Sequence, residues 1–270
     1  MILTVSHTSI YSYDAPVRGA VQSLRMTPSV CDGQRAIRWN IEVVGGARGA
    51  SFRDGAGDWV EGWSLRGPVS EVTVKVTGEV ATTDMAGVLR GHRETVPPES
   101  YLRETGPTRA DSGLMALAQE AASGATDALD RAHRIAAAIT EAIAYRPGST
   151  DAHGTAAEAL ALGEGVCQDH THAIIACARF LDMPARYVSG YLHAGAEGTP
   201  NEASHAWAEV WIDRLGWVGF DASNATCPDA RYIRLGSGFD AGDAAPIRGV
   251  AHGRVAESLD VTVAVEAVQQ

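Results

Sequence analysis

The stretch Gly163–Cys177, with the sequence GEGVCQDHTHAIIAC, sets a cysteine between a glycine-bounded turn and an apolar helix. Apolar residues at helical spacing predict a helix from about Cys167 to Leu181, and Pro184 ends it. A glycine on each side of Glu164 lets the backbone turn sharply. The first amide groups of a helix point outward with partial positive charge, which favours the reactive thiolate form of a cysteine. The stretch therefore predicts that Cys167 is a nucleophile.

Two other interpretations of Cys167 follow from the same residues. An isolated cysteine is often a small core residue, but the polar run Gln168-Asp169-His170 directly after it is not typical of a core position. With His170 and His172, Cys167 could also suggest a metal cluster. The spacing matches no paired zinc pattern, and the three positions do not converge on one point of a helix. We expect no metal and, without a phosphate loop or dinucleotide fingerprint, no cofactor; a metal-binding or redox role stays the weaker alternative.

A base and an acid are available on a predicted hairpin further along the chain. Strands His205–Ile212 and Trp217–Asp221 are separated by the tight turn Asp213–Gly216. Folding the strands together brings Asp221 diagonally opposite His205, where cross-strand neighbours lie ~7–8 Å apart. A carboxylate there can hold the imidazole in one tautomer and stabilise its charged form. The predicted site is therefore Cys167, His205 and Asp221.

These motifs resemble the transglutaminase-like superfamily of papain-type cysteine enzymes. The resemblance is carried by GEGVCQD at 163–169, HAWAEVW at 205–211 and WVGFDAS at 217–223, within a core of roughly residues 150–223. Residues 7–17 and 24–28 are similar to the β-rich domain that precedes this core in many bacterial members. One departure is Ser223, where the family more often has threonine, and serine keeps the hydroxyl.

The resemblance implies acyl transfer on amide bonds through a thioester. Cys167 would be the nucleophile, His205 the general base and acid, and Asp221 the acid that orients the histidine. Tyr145 is a candidate counterpart of the side chain that assists the oxyanion in some members. The expected substrate is a peptide or isopeptide-like amide cleaved by water, as in a cysteine protease or amidase. Transfer to an amine, as in a transglutaminase, and a non-catalytic binding module are the alternatives.

The predicted fold class is α+β, with a papain-like, transglutaminase-type core behind an N-terminal β-sandwich. Residues 1–97 are assigned to the sandwich and a linker, and residues 98–270 to the core and a closing strand at Glu257–Ala267. Alanine-rich helices fill the segment before the cysteine. Roughly Ser223–Pro246, rich in glycine and aspartate, is predicted to be a loop.

The composition and charge of the chain disfavour some classes of binding partner. The chain has 270 residues with 22 basic and 33 acidic side chains, a net charge of −11, which argues against binding nucleic acid or anionic membranes. No apolar run approaches the ~18 residues that span a bilayer, and the start does not resemble a signal peptide. The four cysteines are scattered and do not form a disulfide framework. We expect a cytoplasmic protein; the sequence does not predict its oligomeric state.

Overall fold

The computed structural model describes residues 1–151, 153–193, 204–253 and 255–268. Residues 194–203, which their glycines and proline predict to be a loop, lie outside these ranges. The strands are β1 (Ile2–Leu24), β2 (Gln34–Val43), β3 (Ala47–Arg53), β4 (Trp59–Thr82), β5 (Ala144–Tyr145), β6 (Glu164–Gly165), β7 (Ala185–Leu192), β8 (Ser204–Ile212), β9 (Gly216–Phe220), β10 (Tyr232–Gly238), β11 (Ile247–Ala251) and β12 (Glu257–Ala267). The α-helices are α1 (Ser112–Ala122), α2 (Ala128–Ala142), α3 (Ala156–Leu162) and α4 (Cys167–Phe180). The predicted α+β class is confirmed.

The N-terminal region is strand-rich, as predicted, and its strands form one hydrogen-bonded sheet. The order is β11-β1-β4-β2, with β12 also paired to β1 and β3 to β4. β1 and β4 are long antiparallel partners whose register shifts between Ser12 and Val17. Alternation in β4 buries Val72, Val74 and Val76 completely, because successive strand residues point to opposite faces. These valines anchor a core that belongs to this sheet.

The closing strand returns to the beginning of the chain. β12 has the predicted bounds, and it pairs with β1 from Leu3 opposite Ala267 to Tyr13 opposite Glu257. The sequence grouped this strand with the C-terminal core, since alternation predicts a strand without naming its neighbour. In the fold it belongs to the N-terminal sheet.

The second sheet supports the cysteine helix. It has four strands in the order β10-β7-β8-β9, and α4 packs against β7 and β8. Every residue of α4 from Asp169 to Arg179 is buried, so this part of the helix has no side facing solvent. The β8–β9 hairpin has the predicted turn, with Ile212 opposite Gly216. No helix in the described ranges is long and apolar enough to cross a membrane.

The predicted loop from Ser223 to Pro246 is wrong in its middle. β10 lies there and pairs with β7, with a register shift between Arg234 and Gly236. The composition of β10 does not predict a strand, because arginine and glycine are uncommon in buried strands. Arg234 is only 4% exposed, and its burial depends on carboxylates far away in the sequence.

Those carboxylates form a buried ion network that joins the two sheets. Glu209 accepts from Arg186 Nε at 2.7 Å and from Arg234 Nε at 2.9 Å. Arg234 Nη1 also donates to Asp58 Oδ1 at 2.8 Å, and Arg186 pairs with Glu94. Burial raises the pKa of Glu209, but the charges of Arg234 and Arg186 outweigh it and lower that pKa to about 2. Glu209 is thus a structural carboxylate beside the site.

Candidate active site

Cys167 is the first residue of α4, and its neighbours fix the start of that helix. Asp169 is fully buried, and its Oδ2 accepts from the Val166 amide at 2.8 Å and from Thr150 Oγ1 at 2.6 Å. Thr171 Oγ1 donates to the Cys167 carbonyl at 2.7 Å. These bonds hold the backbone on both sides of the thiol. The amides of Asp169 and His170 donate to the Val166 carbonyl, and the partial positive charge at the start of a helix favours an anion there.

His170 and His172 each contact backbone groups near the start of α4 or its packing partners. Nδ1 of His170 lies 2.9 Å from the Val166 carbonyl oxygen, and Nε2 lies 2.8 Å from that of Ile143. Both partners are backbone carbonyl oxygens, so the ring ties the start of α4 to the end of α2. His172 Nε2 accepts from the Ala241 amide at 3.1 Å, and burial lowers the pKa of His172 to about 4. In the described ranges, no three His, Cys, Asp or Glu side chains converge as metal ligands would.

The structure brings the three predicted site residues together. His205 Nε2 lies 2.6 Å from Asp221 Oδ2, and the Cys167 thiol is hydrogen-bonded to the same imidazole. Since Nε2 faces the carboxylate, Nδ1 is the ring atom left for the sulfur. His205 and Asp221 are both buried, whereas Cys167 is half-buried. The order thiol, imidazole, carboxylate is a relay in which a proton on the ring can be exchanged at the sulfur side.

Asp221 is held by more donors than the sequence predicts. Its Oδ2 also accepts from Asn224 Nδ2 at 2.7 Å and from the Tyr232 hydroxyl at 2.8 Å. Its Oδ1 accepts the amides of Ser223 at 3.0 Å and Asn224 at 3.3 Å. Tyr232 was missed because it begins the strand that the sequence hides. Asn224 lies one residue beyond the WVGFDAS motif at 217–223, and its polar side chain close after Asp221 is the signal that could identify it.

These contacts determine the charges of the pair. Burial lowers the pKa of His205, but the hydrogen bonds to Asp221 and Cys167 and their charges outweigh it, raising the pKa from 6.5 to about 10. Burial raises the pKa of Asp221, but its bonds from His205, Asn224 and Tyr232 outweigh it and lower the pKa. The pair is therefore an imidazolium beside a carboxylate at neutral pH. Its contribution to stability is fully present below pH 6.5 and is lost as the pH rises through about 10.

Removing the Asp221 carboxylate and removing the Tyr232 hydroxyl should move the pKa of His205 in opposite directions. In Asp221→Asn the pKa should fall by several units from about 10, because burial remains while the carboxylate charge is gone. In Tyr232→Phe it should rise, because Asp221 loses a competing donor and accepts more strongly from the imidazole. NMR titration of the His205 ring measures both shifts. A Tyr232→Phe titration identical to that of the native protein would show that the hydroxyl plays no electrostatic role.

Known proteins match the chain in both of its regions. A model of the transglutaminase-like superfamily matches residues 115–222, and a model of the bacterial transglutaminase-like N-terminal region matches residues 3–81. An uncharacterised protein of Mycobacterium leprae is 30% identical over 281 residues, which cover 97% of each chain. The chain belongs to the transglutaminase-like superfamily.

Two further comparisons place this transglutaminase-like chain among its relatives. An uncharacterised protein of Mycobacterium tuberculosis is 38% identical over 139 residues, which are 48% of this chain and 44% of that protein. The crystal structure of a candidate cysteine protease from Cytophaga hutchinsonii superposes with a TM-score of 0.73. It covers 100% of this chain and 93% of its own, at 19% identity, so the likeness concerns the fold.

Two residues noted in the sequence sit at the edge of the transglutaminase-like site. Ser223 contributes its amide to Asp221, while its hydroxyl oxygen is buried and has no hydrogen-bond partner. The expectation that serine can replace threonine at position 223 is consistent with this contact, because the backbone amide and not the hydroxyl binds Asp221. Tyr145 is in β5, 42% exposed, with its ring 6.3 Å from that of His170. Its part in holding an oxyanion stays a prediction.

Proposed function

We propose that this protein is a cysteine-dependent acyl-transfer enzyme that hydrolyses peptide or isopeptide-like amides through a thioester. The observation that carries the proposal is the relay of Cys167, His205 and Asp221 at the start of α4, with 2.6 Å between the imidazole and the carboxylate. A buried imidazolium next to a half-buried thiol at a helix start favours the thiolate, which is the nucleophilic form. A reducing compartment such as the cytoplasm suits the reaction, because all four cysteines are free thiols.

In the first step the Cys167 thiolate attacks the amide carbonyl carbon, and the carbonyl oxygen becomes an oxyanion. The partial positive charge at the start of α4 stabilises that oxyanion. As the C–N bond breaks, His205 gives its ring proton to the departing nitrogen, leaving an amine or ammonia and a thioester on Cys167. Asp221 keeps the imidazole oriented throughout through its bond to Nε2.

In the second step an acceptor attacks the thioester. Neutral His205 takes a proton from water, the C–O bond forms and the C–S bond breaks, releasing a carboxylic acid and restoring the thiolate–imidazolium pair. An amine reacting in place of water gives a new amide instead. Hydrolysis is the preferred assignment because water reaches the thioester without a second bound substrate. A non-catalytic binding module is disfavoured, since nothing in mere binding requires all three side chains to be present and coupled.

Incubation with a panel of amides, each with and without a primary amine, tests the proposed reaction by mass spectrometry of the products. Hydrolysis predicts a free acid from at least one amide, with little change when the amine is added. A new amide in place of the acid would assign transamidation. Intact substrates throughout the panel would favour the binding module.

A further inference from the structure

β2 lies at an edge of the N-terminal sheet. It pairs antiparallel with β4 along one side, and no strand in the described ranges pairs with its other side. The backbone amide and carbonyl groups on the free side of an edge strand are a template for one more strand. The register of β2 shifts between Ala36 and Arg38 and is regular from Arg38 to Val43. This regular segment, about 20 Å long, is the part that another strand can follow.

The two faces of the regular segment differ in chemistry. Arg38, Asn40 and Glu42 are exposed on the outer face of the sheet, whereas Trp39 and Ile41 are half-buried against its core. Strand residues that lie directly opposite one another share a face of the sheet. An added strand therefore has to carry polar residues on the outer face and apolar residues on the inner face. A second copy of β2 has this pattern.

The charges on β2 and β4 select one arrangement of that second copy. Arg38 lies opposite Glu79 of β4 and forms an ion pair with it, and Glu42 lies opposite Lys75. An antiparallel second copy centred on Asn40 places each Arg38 opposite the Glu42 of the other copy. Charges of alternating sign then run across the outer face, from Glu79 and Arg38 of one copy to Glu42 and Lys75 of the other.

We propose that two copies of this chain form a symmetric dimer through β2, with a two-fold axis at Asn40. An axis at Trp39 or Ile41 leaves the charged side chains opposite uncharged ones, and an axis between two residues sets the outer face against the inner face. With the axis at Asn40, Trp39 meets Ile41 of the second copy on the inner face, which extends the apolar contact. Charged edges usually keep strands apart, but here opposite charges meet. The dimer does not depend on the proposed acyl transfer.

Charge reversal tests the register of the dimer, with sedimentation equilibrium giving its dissociation constant and circular dichroism the fold of each variant. Arg38→Glu and Glu42→Arg should each raise that constant about tenfold or more, because like charges then lie directly opposite. An equimolar mixture of the two variants should associate within about threefold of the native protein, because each changed side chain then meets an opposite charge. Arg109→Glu makes the same change in net charge at a side chain that is 72% exposed, against 74% for Arg38, and should have no effect.

A disulfide tests the position of the two-fold axis without changing a charge. Residues directly opposite in an antiparallel pair have Cα atoms about 4.5–5.5 Å apart, which a disulfide can span. Asn40→Cys should therefore form a cross-linked dimer under mild oxidation, above the background that the free cysteines of the native protein set. Ser258→Cys, exposed on β12, should stay at that background.

Several results would overturn the dimer. Native protein that stays monomeric up to about 0.5 mM would show that the charged edge keeps β2 unpaired. A dimer that survives both single reversals, or that Arg109→Glu weakens equally, does not use this register. Failure of the mixed variants to associate, or cross-linking of Asn40→Cys no greater than that of Ser258→Cys, would also contradict pairing about Asn40.

Discussion

Replacing Cys167 by alanine should abolish turnover of every amide substrate and leave the fold intact. Removing the nucleophile of a comparable relay lowers kcat by about 10⁶-fold, so we expect activity at or below the limit of detection. The fold should survive because Cys167 is half-buried and the helix start is held by Asp169 and Thr171, whose bonds go to backbone atoms that alanine retains. Activity assays with circular dichroism measure the two effects together.

Cys31→Ala is the matched control for the loss of a thiol. Cys31 is also half-buried and free, but it lies in the N-terminal region, where it forms a β-bridge with Gln34. Its variant should keep native turnover. Activity remaining in Cys167→Ala above about one part in a thousand would contradict the thiol mechanism.

Glu209→Ala should produce the largest loss of stability at a single position. Glu209 is 3% exposed and accepts from two arginines, of which Arg186 already has one buried nitrogen, Nη2, without a partner. Without the carboxylate, the guanidinium groups stay buried with an unpaired charge. Breaking a buried pair in this way costs about 3–5 kcal/mol of stability. Because Arg234 also holds Asp58, the loss should be felt in both sheets. Urea unfolding followed by tryptophan fluorescence measures the change in the free energy of unfolding.

Glu79→Ala is the matched control, because it removes a carboxylate from an exposed ion pair rather than a buried one. Its partner Arg38 has a side chain that is 74% exposed, so solvent screens the pair and its loss should leave the unfolding midpoint essentially unchanged. Equal shifts of the unfolding midpoint in the two variants would show that burial does not make the Glu209 network more stabilising than an exposed ion pair. A Glu209 variant as stable as the native protein would contradict the conclusion that the buried ion network holds the two sheets together.

The sequence predicts the local parts of this structure well. α4 begins at the predicted Cys167, and the β8–β9 hairpin has the predicted turn. Each of these depends on signals within a few residues: a glycine stop, apolar residues at helical spacing, and alternation around a tight turn. Because the hairpin fixes which residues oppose one another, the approach of His205 and Asp221 is also predictable from spacing alone.

The remaining features depend on partners far away in the chain. Arg234 can lie in a buried strand only because Asp58 and Glu209 neutralise its charge. The residues next to Arg234 in the sequence do not identify these partners. The Tyr232 hydroxyl reaches Asp221 only once β10 is paired with β7. Likewise β12 is visible as a strand, but its place beside β1 follows from the closure of the whole fold. Long-range burial and pairing, rather than local preference, decide these features.

The most direct test of the account is the covalent state of Cys167 during turnover. Native protein is mixed with an activated acyl ester, quenched in acid within milliseconds to seconds, and analysed by intact mass and peptide mapping. We expect one added acyl group on the peptide that contains Cys167, released by hydroxylamine and absent from Cys167→Ala. An acyl group on another side chain, or turnover without any adduct on Cys167 at every quench time, would contradict it.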